Sequence, residues 1–129
     1  MKKIILLIAI LCSFICTIAQ SPKKTYTDIQ NKKIKVLFHG FGTEPFWDIY
    51  ILENSVIFAI AGMEIYESLK MTGSFSKSKY SQVFTLKNAK GEKTSLQIIK
   101  KPGDDGMSEQ VYPYTVKYNR NTGAGKIGY

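Results

Sequence analysis

From Lys33 to Tyr118 apolar residues recur at alternate positions in short runs, and the runs are separated by glycine, proline, asparagine, serine or lysine clusters. A period of two places one row of side chains on each face of a β-strand, while a helix needs a period of about 3.6 sustained over several turns. No segment after the N-terminal apolar run carries such a helical period with capping residues. The chain therefore reads as all-β.

Ile34, Val36 and Phe38 point one way and Lys33, Lys35 and His39 the other, after which Gly40 and Gly42 are expected to loosen or bulge the strand. Phe46 to Leu52 forms a second strand with Trp47, Ile49 and Ile51 on one face. Val56 to Ala61 is a third, apolar on both faces and so expected to be covered on both. Met63 to Tyr66 reads as a loop or one helical turn. Leu69 to Phe75 alternates cleanly as a fourth strand. Phe84 with Leu86 and Leu96 with Ile98 mark a fifth and sixth, joined through Ala89-Lys90-Gly91-Glu92. A loop from Lys101 leads to Pro113. Tyr114, Val116 and Tyr118 mark a seventh strand, and Lys126 to Tyr129 a short last one.

Seven or eight short strands joined by turns predict a small antiparallel meander. Closing it into a β-barrel-like domain removes edges that would otherwise pair with other chains. A two-sheet β-sandwich is the alternative.

At the N-terminus, Lys2 and Lys3 precede an apolar run from Ile4, and Thr17-Ile18-Ala19 offers small residues for a cut after Ala19. These are the parts of a secretory signal peptide, and the run is short for a spanning helix. The expected division is a leader over 1–19, a flexible lead-in over 20–32 and one β domain over 33–129. The product would be exported to the periplasm or the exterior, with no stable membrane insertion after cleavage. Both cysteines, Cys12 and Cys16, lie in the leader. The domain would then hold together by packing and strand pairing, without disulfides, thiol chemistry or thiolate metal ligands.

Losing Lys2 and Lys3 takes the formal charge from +8 to +6. Scattered lysines, with Arg120 the lone arginine, suit a solvated surface with at most weak attraction to anionic surfaces. They do not form a nucleic-acid-binding motif. No cofactor is expected.

Chemistry-bearing residues are few. His39 is the single histidine and is expected to face solvent. One imidazole without cysteines builds neither a metal site nor a nucleophilic triad. Asp104-Asp105-Gly106-Met107-Ser108-Glu109 lacks the ligand spacing of a calcium-binding EF-hand and reads as an Asp-Gly turn capped by Ser108. Trp47 reads as a core anchor, with stacking on a ligand at a barrel mouth as the alternative.

The two least ordinary stretches do match a pattern together. Gly42-Thr43-Glu44-Pro45-Phe46-Trp47, followed much later by Asp105-Gly106-Met107-Ser108-Glu109 and Tyr112-Pro113, resembles a family of uncharacterised bacterial envelope proteins and lipoproteins. In that family a Gly-x-Glu-Pro-Phe-Trp segment precedes a hairpin, and Asp-Gly-Met-Ser-Asp runs into Tyr-Pro. Family members commonly carry a cysteine just before the second motif and another near the C-terminus. Here the corresponding places are near Gly103 and Gly128, so such a staple is not needed for this fold.

Barrel closure pairs early and late strands, so the two motifs are expected to be neighbours. Glu44, Trp47, Asp48, Asp105, Ser108, Glu109 and Tyr112 are the candidate ligand-binding residues, with Glu44, Trp47, Asp105 and Ser108 expected to cluster. No catalytic residue is assigned. The expected function is a non-catalytic binding or structural module taking a small ligand or an envelope protein. An inhibitor or chaperone-like envelope factor, presenting the Met63 to Tyr66 loop, is one alternative. A hydrolase using Glu44 with Asp105 or Glu109 is the other.

Overall fold

The computed structural model describes residues 26–29, 32–60 and 65–129. The leader expected over 1–19, residues 20–25 and 30–31 of the lead-in, and Met63 and Glu64 of the expected Met63 to Tyr66 loop lie outside them. The described residues form twelve strands: β1 (Tyr26–Ile29), β2 (Lys32–Lys35), β3 (Phe38–Thr43), β4 (Phe46–Ile51), β5 (Ser55–Ile60), β6 (Ile65–Met71), β7 (Ser81–Lys87), β8 (Lys93–Ile99), β9 (Gly103–Asp104), β10 (Val111–Tyr112), β11 (Tyr114–Tyr118) and β12 (Asn121–Ile127). Eight of them close an antiparallel barrel in the order β11-β12-β3-β4-β5-β6-β7-β8. The barrel, and not the sandwich, is the architecture.

The alternation read from the sequence fills the lumen. Trp47, Ile49 and Ile51 of β4, Phe84 and Leu86 of β7, Leu96 and Ile98 of β8, and Tyr114, Val116 and Tyr118 of β11 form one buried cluster with Phe38, Val56 and Leu69. Each such side chain contributes about 1.5–3 kcal/mol when fully withdrawn from water. The outward rows of β7 and β8 are largely polar, as a solvated wall requires.

Large rings fit a narrow lumen because β3 and β12 supply glycines opposite them. A methyl group on Gly42 would lie 2.6 Å from Trp47 Nε1, and one on Gly40 3.2 Å from both methyl groups of Val116. On Gly125 it would run into the Phe38 ring, and on Gly123 into the Phe41 carbonyl oxygen. The glycines of β3 thus do not bulge the strand. Pairing with β4 runs unbroken from Phe38↔Ile51 to Thr43↔Phe46, and the glycines instead make room for neighbouring side chains.

Three other sequence expectations change. The lead-in is not uniformly flexible, because Tyr26–Ile29 pairs with Lys32–Lys35 as a hairpin. The strand expected from Lys33 to His39 also breaks at Val36 and Leu37. Val36 turns outward to join Ile29, Tyr50 and Ala59 in a second buried cluster, whereas Phe38 enters the lumen. Leu37 keeps its backbone satisfied by donating to Ile51 O and accepting from Gly128 N. The β1–β2 hairpin is therefore what covers the outer face of β4 and β5, including the second apolar row of β5. Third, β6 already includes Tyr66 and ends at Met71, with Phe75 leaving the strand to pack on Phe38 at 5.1 Å. Gln82, buried, holds this loop by accepting from Ser76 N and donating to Ser76 O, each at 2.8 Å.

The long loop after β8 also has structure of its own. Gly103 and Asp104 pair with Tyr112 and Val111, and this short ladder packs on β12 and β11. Its placement fixes where residues 105–110 project.

Candidate functional site

A cavity of about 420 Å³ lies on the outer wall of the barrel, between the β3–β4 hairpin and the loop that β9 and β10 hold. The hairpin supplies one wall because alternate residues of β3 and β4 must face outward. These are His39, Phe41 and Thr43 on β3, with Phe46 and Asp48 on β4. Asp105, Met107 and Ser108 of the loop, and Tyr112 of β10, form the opposite wall. Lys126 of β12, paired across from His39, closes one end.

His39 and Asp48 are diagonal neighbours on adjacent strands, and His39 Nε2 lies 2.7 Å from Asp48 Oδ1. The imidazole stacks on Tyr50 at 4.7 Å between centroids and 15° between planes, and on Tyr129 at 5.3 Å and 20°. These rings leave its side chain only 12% exposed, and Nδ1 is buried without a hydrogen-bond partner among the described residues. His39 therefore faces outward from the barrel but does not face solvent, because aromatic neighbours cover it. Burial, reinforced by the Asp48 carboxylate, holds the Tyr50 phenol protonated far above its usual range.

The loop wall is built by Asp105. Its Oδ1 accepts from Met107 N at 2.9 Å and Ser108 N at 2.8 Å, and its Oδ2 accepts from the Ser108 hydroxyl at 2.9 Å. The Ser108 amide, then the Met107 amide and Ser108 hydroxyl, hold this carboxyl below its ordinary value. Gly106, at φ 82°, supplies the left-handed turn that brings the loop against Thr43. Tyr112 meets Phe41 edge-to-face at 4.7 Å and 83°, joining the walls at their base.

Of the candidate residues, Trp47, Asp48, Asp105, Ser108 and Tyr112 border this one cavity. Trp47 is 1% exposed, and its ring fills the lumen behind the wall. Glu44 does not join them. It stands exposed with Pro45 at the tip of the β3–β4 hairpin, across a cis peptide bond, and borders an adjoining polar cleft of about 690 Å³ that also reaches Asp105 and Arg120. Glu109 is exposed and lines neither space.

His39, Phe41, Gly42, Thr43, Phe46, Met107 and Lys126 complete the cavity and are not among the candidates. For His39, Phe41, Thr43 and Phe46 the signal in the sequence is the outward row of the two strands flanking Glu44-Pro45. Among the described residues, no three His, Cys, Asp or Glu side chains converge to hold a metal ion. Comparison with known proteins gives no matching family model, no matching curated protein and no matching solved structure.

Proposed function

We propose that this protein is an exported cell-envelope module that binds a small amphipathic ligand without transforming it. The observation that carries this reading is the outer-wall cavity, where the two distinctive segments face each other. Its volume is in the range of small-molecule sites, and its lining combines aromatic rings with a few convergent polar groups. The leader-like N-terminus and the resemblance to bacterial envelope proteins support the location and class.

A binding role accords with how Asp105 and His39 are engaged. Asp105, the carboxylate shared by the cavity and the adjoining cleft, has both oxygens committed to its own turn. The His39 nitrogen not facing Asp48 is enclosed by stacked rings. General acid–base work needs such groups within reach of a reacting atom.

Screening a library of small polar aromatic and alicyclic compounds against the isotopically labelled protein tests the proposal. Binding compounds are expected to shift amide resonances in both 42–48 and 104–112. Hits that shift only one segment, or only residues elsewhere, would overturn it.

A second reading, a protein-interaction module, draws on one observation. Phe46 at 49% exposure and Met107 at 72% stand on the cavity rim, where a partner's apolar side chain would also be accepted. Of the Met63 to Tyr66 loop, Met63 and Glu64 lie outside the described residues, while Ile65 and Tyr66 belong to β6.

A further inference from the structure

The cavity offers both hydrogen-bond donors and acceptors, with its opposite charges held at different points. Asp48 Oδ1 is engaged by His39 Nε2 at 2.7 Å, while Asp48 Oδ2 has no hydrogen bond among the described residues. The hydroxyls of Thr43 and Tyr112 are likewise without a hydrogen-bond partner among those residues. The Lys126 ammonium lies 5.7 Å from the centroid of the Tyr129 ring, with no carboxylate at ion-pair distance among the described residues. Asp105 does not belong to this free set, because its own turn occupies both oxygens.

A purely anionic ligand would face Asp48, and a purely cationic one would face Lys126. Complementarity therefore selects a ligand with no net charge that both donates and accepts. It must also present an apolar surface, since Phe46 is half exposed on one lip and the Phe41–Tyr112 pair forms the base. A pyranose ring has this combination, with hydroxyls around its edge and a C–H face that packs on an aromatic ring.

Resting on the proposed binding role, we infer that the cavity takes a neutral saccharide. Asp48 Oδ2 accepts from sugar hydroxyls, Lys126 donates to sugar oxygens, and the rings pack one C–H face. A zwitterionic amino acid has the same charge balance. It is the weaker match because ion pairs near a water-exposed rim contribute little.

The test is a titration of the isotopically labelled protein with methyl glycosides of glucose, galactose, mannose and N-acetylglucosamine, set against L-phenylalanine. At least one glycoside is expected to shift amides in both 42–48 and 104–112. Asp48→Asn should weaken that affinity roughly tenfold, the scale of one hydrogen bond to a charged group. Phe46→Ala, at an exposed position that leaves the core intact, should weaken it as well. Glu67→Gln on β6, outside the cavity, should leave it unchanged. Shifts from phenylalanine with none from any glycoside would overturn the saccharide inference while leaving the binding role in place. Silence from both classes, with a library hit still shifting both segments, would likewise overturn only the saccharide inference, whereas silence throughout would remove both. Equal glycoside affinity in wild type, Asp48→Asn and Phe46→Ala would also contradict the inference.

Discussion

Gly106 approaches Thr43 so closely that a methyl group on its α-carbon would lie 2.7 Å from Thr43 Oγ1. This contact joins residues that are far apart in sequence and sets the loop wall of the cavity against the hairpin wall. Gly106 also has a φ of 82°, where a side chain is strained whatever the space. Gly106→Ala is expected to cost about 1–2 kcal/mol and to lift residues 105–110 from β3. Urea denaturation reads the first effect. The aromatic shifts of Tyr112, which depend on the Phe41 ring, read the second.

Trp47 and Gly42 should behave as one packing unit. Gly42→Ala forces a methyl group against the indole and should destabilise by about 1–3 kcal/mol. Combined with Trp47→Phe, which vacates part of that space, its additional cost should shrink measurably. A double-mutant cycle by chemical denaturation checks this, and strict additivity would count against the packing account.

The Asp105 turn should respond to acid. Its folded carboxyl is held below the ordinary value, so its stabilisation is present above the unfolded value and is lost as pH falls through the folded one. The protection factors of the Met107 and Ser108 amides, measured against intrinsic exchange at each pH, should fall over that acidic range while those of β7 and β8 are retained. Asp105→Ala should give the low protection already at neutral pH. Asp105→Asn, which keeps an acceptor oxygen, should retain part of the protection.

Alkali acts on the barrel through Tyr50 and Tyr118. Both phenols are raised above the ordinary 10.0, chiefly by burial. The stability they contribute is present in full below that value and declines as pH rises beyond it, because the unfolded chain ionises first. Phenolate absorbance should show two tyrosines ionising late or together with unfolding. Tyr50→Phe should reduce the late-ionising fraction.

The barrel was legible because lumen-facing residues obey a period of two, from Trp47-Ile49-Ile51 to Tyr114-Val116-Tyr118. The lead-in strand was not, because Tyr26–Ile29 pairs with Lys32–Lys35 in a polar hairpin whose few apolar residues show no pattern until they meet Tyr50 and Ala59. The glycines of β3 read as a bulge in the sequence because the side chains they make room for, Trp47 and Val116, lie on other strands. At the site, Asp48, Asp105, Ser108 and Tyr112 stood out through unusual segments. His39, Phe41 and Lys126 did not, because an outward residue becomes a cavity wall only when a loop is laid over it, and that loop is fixed by the β9–β10 ladder. Glu44 drew notice for its proline neighbour, yet the hairpin tip carries it away from the cavity.

Barrel closure brings 42–48 and 104–112 together as a preformed cavity. Nuclear Overhauser contacts in the ligand-free protein test it most directly. Cross-peaks between the Phe41 and Tyr112 rings, and between Thr43 and the Gly106 α-protons, are the predicted result. Only sequential contacts within 104–112, with Tyr112 ring shifts at unfolded values, would contradict it.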